Sequence, residues 1–233
     1  MEIFSDQFNG YLLQILYGGV TTVKLFVMGV TLALTCGFVI GVVGSVSRNA
    51  IVQGIYKTYI SIITGVPSLI IIFLIFYGGS SILSGIIGKS RSFDITPFAA
   101  GVASLTIVYS AYIAELVRGA VRNVPRGQFE AAAALAIKPR SAWVHVIMPQ
   151  VIRLALPGLI NIWIVILKDT PLVSLAGLNE LVGNAKIAAG ATKEPFIFFI
   201  VAAVFYIIFS GLTLRLSAAL EHRFSRGIAR VKA

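Results

Sequence analysis

Residues 126–149 read RGQFEAAAALAIKPRSAWVHVIMP, a polar stretch between two long apolar segments. Glu130 opens an alanine-rich run of high helix propensity, and Pro139 cannot continue a helix. The pattern predicts a helix over 128–137 with its acid in the first turn, where a negative charge suits the helix dipole. Because alanine side chains are small, another protein can approach this helix closely. A docking surface and an ordinary interfacial helix both fit the pattern.

The rest of the chain has the composition of a membrane protein. Apolar residues make up 58% of its 233 positions and charged residues only 12%, against about 25% charged in soluble domains. The apolar runs lack the alternation of barrel strands. We therefore predict a single all-α domain over 1–233, with a kink or break at Pro157. It has five transmembrane helices, at roughly 13–46, 60–87, 98–117, 151–168 and 196–219.

The distribution of positive charge predicts the orientation. Of the 19 Lys and Arg, 13 lie in 47–59, 118–153 and 215–233, whereas the loops on the opposite side hold 5. The positive-inside rule then places the N-terminus outside and the C-terminus in the cytoplasm. The same rule explains the net charge of +10 without nucleic acid. The external segment is predicted to form a re-entrant or surface-lying helix around 171–188, a candidate gate.

Three stretches resemble the permease subunits of ABC importers for polar amino acids. The run EAAAALA followed by IMP resembles their EAA motif, in which Glu-Ala-Ala precedes a Gly and, further on, Ile-Leu-Pro. Segments 65–78 (GVPSLIIIFLIFYG) and 156–178 (LPGLINIWIVILKDTPLVSLAGL) are also similar to this subfamily. The resemblance assigns ATPase coupling to Gly127, Glu130, Ala131, Ala132, Ala136, Ile147 and Pro149.

The resemblance implies a type I ABC importer permease fold and a multi-pass protein of a bacterial inner membrane. Such a subunit is not itself catalytic and holds no cofactor, because its partner ATPase subunits bind ATP and Mg²⁺. A second permease subunit, identical or homologous, and a periplasmic solute-binding protein complete the complex. The solute is then a polar amino acid, of the histidine, lysine, arginine or opine type.

The chain departs from the family pattern at two positions. Ala136 stands where relatives usually carry Gly, and since Ala stabilises helix interiors, the turn there is expected to be more helical. Thr64 stands where relatives often carry Arg. The run GIIGKS at 85–90 resembles a P-loop, but Leu83 replaces the first required Gly and no strand precedes it.

Polar residues in or next to the spans are candidates for the substrate path: Lys24, Lys168, Asp169, Thr170 and Ser174. Asp169 would meet an ammonium group and Thr170 a carboxylate, although helix capping explains both equally. For Lys24, snorkelling to the outer headgroups is the favoured alternative to a role in the path. Glu115 and Arg118, three residues apart, are predicted to form a local ion pair. His145 and His222 have no ligand spacing, so no metal site is expected.

Two other functional classes stay open at this stage. A stand-alone secondary transporter or channel would need paired intramembrane charges or an inverted repeat, and no clear repeat is present. A passive membrane scaffold would have no solute path. Co-purification of an ATPase distinguishes both from the importer.

Overall fold

The computed structural model describes residues 2–87 and 95–224, and within these two ranges every regular element is helical. A π-helical turn, Trp143–Ile147, joins α6 to α7, and a 3₁₀ helix, Thr170–Ala176, follows α7. The α-helices are α1 Glu2–Val46, α2 Ala50–Gly65, α3 Ser68–Ile87, α4 Pro97–Asn123, α5 Arg126–Ala134, α6 Pro139–Ala142, α7 Met148–Asp169, α8 Leu181–Thr192 and α9 Pro195–Phe224.

Four helical stretches are long and apolar enough to cross a membrane, which confirms the all-α membrane fold. A bent pair, α2 with Ser68–Gly79 of α3, makes a fifth span if it is counted as one. The four stretches are Phe8–Val46, Pro97–Asn123, Pro139–Ala176 and Pro195–Ala219.

The second predicted span, 60–87, is not one straight helix. The chain turns by 105° between α2 and α3. Pro67 lies at the bend; it has no N–H to donate and it disfavours helical backbone in the residue before it. Val66 accordingly adopts extended dihedral angles. Of the kink or break expected at Pro157, the break is absent, since α7 continues through that residue.

The centre of the fold is α4, which is more buried than the other three long spans. Its closest neighbour is α1, which approaches through glycines. A Cβ at Gly37 would lie 2.6 Å from the Cβ of Ile113, and one at Gly41 would lie 2.6 Å from the carbonyl oxygen of Ala114. Gly37 and Gly41 form a Gly-x-x-x-Gly pair, which brings two membrane helices into backbone contact.

The segment expected to be one helix around 171–188 consists of two short ones. Gly177, at φ +90°, ends the 3₁₀ helix, and Glu180 caps the start of α8. The left-handed backbone at Gly177 and the extended backbone at Glu180 prevent one continuous helix. α8 then packs against α1 and α9 in an apolar cluster formed by Ile15, Leu181, Ala185, Ala188, Phe198 and Ala202.

Candidate functional site

The predicted coupling helix is present as α5, with different limits from 128–137. It begins at Arg126, directly after Pro125, and ends at Ala134. Glu130 therefore lies in the second turn, and the prediction that it occupies the first turn is wrong. Lys138 lies beyond the end of α5, since it is the residue before α6.

Ala136 has a left-handed backbone, with φ +52°. The N–H of Ala136 donates to the carbonyl of Ala133 (2.9 Å), and the N–H of Ile137 donates to that of Ala132 (3.0 Å). These two bonds form the Schellman ending of a helix, whose left-handed position favours Gly. The expectation of a more helical turn is therefore wrong, and the left-handed backbone is one that suits the Gly of the family pattern.

Replacing Ala136 with Gly should stabilise this turn by about 1 kcal/mol, because the left-handed conformation costs a residue with a Cβ roughly that amount. We expect amide hydrogen exchange at positions 136–137 to slow by about fivefold. Ala134→Gly, inside α5, is the matched control and should speed exchange, since Gly weakens a helix interior. Equal effects of both variants would contradict the assignment of strain to Ala136.

The motif residues divide into an exposed and a buried group. Ala132 and Ile147 are buried and anchor the motif to the protein. The exposed residues are Gly127, Glu130, Ala131, Ala136 and Pro149. Their exposure leaves the surface of α5 available to another protein.

Two contacts hold α5 against the chain that follows it. The rings of Phe129 and Trp143 meet edge to face with centroids 6.0 Å apart. The side-chain amide of Gln150, in α7, donates to Oε1 of Gln128 at 3.1 Å. These contacts join α5 to α7 and to the π-helical turn before it.

The second candidate site is a cavity of about 540 Å³ between the α2–α3 bend, α4 and α7. This size is typical of a small-molecule site. Asp169, at the end of α7, supplies a half-buried carboxylate to the lining, and the hydroxyl of Tyr109 donates to its Oδ2. The other polar side chains of the lining are Thr64, Ser68, Tyr109, Tyr112 and Asn161.

The other four residues predicted for the substrate path are not among those that line this cavity. Lys24 and Lys168 are exposed. The hydroxyl of Thr170 donates to the carbonyl of Leu167 (2.8 Å), and that of Ser174 to the carbonyl of Pro171 (2.7 Å). Ser174 therefore bonds within its own 3₁₀ helix, whereas Thr170 bonds back to α7 and its hydroxyl also lies 3.0 Å from that of Tyr206 in α9.

A buried polar cluster that the sequence analysis missed joins α1, α8 and α9. Oε1 of Glu180 accepts the N–H groups of Val182 (2.8 Å) and Gly183 (2.9 Å), and Oε2 accepts the hydroxyl of Thr22 (2.8 Å). The hydroxyl of Tyr206 donates to the same Oε2 at 3.4 Å. Burial raises the pKa of Glu180, while these hydrogen bonds oppose the rise.

This cluster explains the position of α8. An acid in an apolar segment has to be capped or paired, and this chain has only nine Asp and Glu. Gly18 lets α1 approach the backbone of Glu180 closely, since a Cβ at this position would lie 2.7 Å from the Glu180 carbonyl oxygen. Residue spacing in the sequence does not predict this contact.

The predicted ion pair between Glu115 and Arg118 is confirmed, with 3.9 Å between Oε1 and Nη1. Tyr56 completes it: its hydroxyl donates to Glu115 (3.2 Å), and the Arg118 guanidinium lies 4.6 Å from its ring centroid. Within the described residues no group of three or more His, Cys, Asp or Glu could hold a metal ion. The side chain of His222, residues 88–90 of GIIGKS, and 225–233 of the C-terminal tail lie outside that description.

Comparisons with known proteins agree with this architecture. Residues 33–226 match the family model of binding-protein-dependent transport system inner membrane components. The chain is 38% identical to the histidine/lysine/arginine/ornithine transport system permease protein HisQ of Escherichia coli (strain K12), over 96% of this chain and 97% of HisQ. It is 39% identical to the nopaline transport system permease protein NocQ of Agrobacterium fabrum, over 73% and 74% of the two chains.

Solved structures show the same fold. A chain from an amino acid ABC transporter crystallised with histidines superimposes with a TM-score of 0.80 at 31% identity, over 93% of this chain and 96% of that one. The inward-facing MetNI methionine ABC transporter superimposes with a TM-score of 0.74 at 17% identity, over 92% and 97%. The protein is therefore a multi-pass membrane protein that belongs to the family of binding-protein-dependent transport system inner membrane components.

Proposed function

We propose that this chain is the permease subunit of an ATP-driven importer that carries a basic amino acid or a related opine across a bacterial inner membrane. Its relatives HisQ and NocQ are permease proteins of histidine/lysine/arginine/ornithine and nopaline transport systems. The observation that carries the choice of a basic solute is the Asp169 carboxylate in the membrane cavity.

Asp169 suits a cationic group because of what surrounds it. Among the described residues its side chain bonds to a neutral phenol, that of Tyr109, and forms no ion pair. A guanidinium or ammonium group that entered the cavity would form a charge-assisted hydrogen bond there. Asn161 and Ser68 add neutral donors and acceptors in the same cavity. A basic side chain is thus recognised by one carboxylate among uncharged polar groups.

The complex supplies what this chain lacks. ATPase subunits, which bind ATP and Mg²⁺, dock on α5 with Glu130 and the exposed alanines in the contact. A second permease subunit completes the path, and a solute-binding protein delivers the solute from the outer side. The N-terminus lies outside and the C-terminus in the cytoplasm, as positive-charge counting indicates.

The transport cycle requires two states of the packed spans. ATP binding favours the outward-facing state by moving α5. That helix contacts α7 through Gln128 and Gln150, and the π-helical turn through Phe129 and Trp143. A shift of the population from 1:99 to 99:1 needs about 5.5 kcal/mol. The energy of the ATPase dimer supplies that difference.

Uptake into proteoliposomes that contain the complete complex tests the proposal. Asp169→Asn should lower uptake of radiolabelled arginine and lysine by about tenfold, since a hydrogen bond to a charged group contributes about 1.5–3 kcal/mol. Glu194→Gln, which neutralises an exposed carboxylate between α8 and α9, should leave uptake unchanged. Equal uptake by Asp169→Asn and the unmodified complex would remove Asp169 from the solute path.

The same system distinguishes the other functional classes. Uptake by this chain without any ATPase would identify a secondary transporter or channel. Uptake that persists when this chain is omitted would identify a scaffold. The importer requires both the chain and ATP hydrolysis.

A further inference from the structure

The helix α2 has three faces of different character. One is buried and contains Tyr56 and Ile63. The second is apolar and exposed, with Ile51, Ile55 and Ile62 exposed by 72%, 67% and 56%. The third, which we call the polar face of α2, is exposed throughout and consists of Gly54, Lys57, Ser61, Thr64 and Gly65. These residues recur every three or four positions, so they lie on one side of the helix.

We expect the polar face and the isoleucines of α2 to contact different surroundings. α2 begins at Ala50, so Lys57, which the charge count assigned to the loop 47–59, lies in the first helix of the bent fifth span. A lysine within a span carries a large free-energy cost if it is turned toward lipid, and such residues face water or other protein instead. Space along the face is open, because a Cβ at Gly54 or Gly65 would meet no atom within 4 Å. The isoleucines are the part of α2 that suits lipid tails.

The polar face leads into the cavity described above. Thr64 and Gly65, its last residues, line that cavity together with Asp169. Lys57 lies seven residues earlier on the same face, about 10 Å along the helix axis. The carboxylate of Asp169 and the ammonium group of Lys57 therefore follow one another along one open polar surface.

We propose that the polar face of α2 lines the solute path beyond the cavity and that Lys57 contacts the carboxylate of the moving amino acid. The inference rests on the proposed function, since it needs a solute that crosses this chain. Asp169 contacts the basic side chain, and Lys57 then contacts the carboxylate at a second position. Lys57 also repels cations that have no carboxylate. The path thereby selects an amino acid over a simple cation.

Cysteine accessibility in the reconstituted complex tests the path. The chain has one cysteine, Cys36, so Cys36→Ser removes every thiol of this chain, and labelling is read on this chain alone. Single substitutions Ser61→Cys and Thr64→Cys should react with a water-soluble anionic methanethiosulfonate at least tenfold faster than Ile55→Cys and Ile62→Cys. The isoleucine positions are matched controls on the same helix. Equal labelling of both faces, or a spontaneous disulfide between two copies at position 61, would overturn the proposal.

The role of Lys57 is tested in the Ser61→Cys background. The anionic reagent should label position 61 several times faster than a cationic methanethiosulfonate of similar size, and Lys57→Gln should remove most of that preference. A preference unchanged by Lys57→Gln would overturn the assignment of Lys57. Uptake tests the proposed function, and cysteine labelling tests whether the polar face of α2 lines the path. A negative labelling result with normal uptake would therefore contradict only this inference.

Discussion

Replacing Gly41 with Leu is expected to abolish folded protein. A Cβ at this position would lie 2.6 Å from the carbonyl oxygen of Ala114 and 2.8 Å from the Cβ of Val117. These atoms belong to or adjoin the α4 backbone and cannot rotate away, so α1 and α4 would have to separate. Inserting extra methylenes in a packed core costs about 1–3 kcal/mol even where side chains can adjust. Separating the two helices costs more, because it also opens the core around α4.

The measurement is the yield of monodisperse protein after extraction in mild detergent, which should fall by more than tenfold. Gly211→Leu is the matched control. Gly211 is also in an apolar span, α9, and a Cβ there would meet no atom within 4 Å. We expect Gly211→Leu to extract normally. A normal yield of Gly41→Leu would show that α1 and α4 do not pack as the structure has them.

Glu130→Lys should uncouple the proposed transporter without unfolding it. Glu130 is exposed in the second turn of α5, and no hydrogen bond or ion pair of its side chain occurs within the described part of the chain. Its substitution therefore removes no internal contact. If the ATPase docks there, reversing the charge should cost at least about 2 kcal/mol, since truncating a charged interface partner costs 2–5 kcal/mol. We expect ATP-dependent uptake to fall by about 30-fold.

Two readouts separate docking from folding. The amount of ATPase that co-purifies with Glu130→Lys should decrease, while the extracted yield of the chain itself should stay the same. Glu194→Lys makes the same charge reversal at an exposed site outside α5 and should have no effect on either. Normal co-purification and uptake by Glu130→Lys would exclude Glu130 from the coupling contact.

Local sequence signals accounted for the class of the protein but not for several details of its backbone. Long apolar runs with few charges allow only helices in a membrane, so the all-α fold followed from composition. Pro67 is a helix breaker inside the predicted span 60–87, and the bend at this residue lines the cavity. Pro157 carried the same signal, yet α7 continues through it.

The case of Ala136 shows the limit of propensity. Alanine favours helices, but the closing hydrogen bonds of the α5 turn require a left-handed residue at that position. The requirement comes from the path that the chain takes from α5 to α6, and an intrinsic preference of about 1 kcal/mol is too small to change that path.

Hydropathy and the positions of charged residues were enough to establish a helical membrane protein, its approximate spans and the exposed alanine-rich helix, because these depend on neighbours in the chain. The tertiary structure alone brought Asp169 together with Tyr109 across 60 residues, and Thr22 together with Glu180 across 158. It likewise separated Thr170 and Ser174 from the cavity. Such contacts depend on how the helices pack around α4, which a one-dimensional pattern of polarity does not specify.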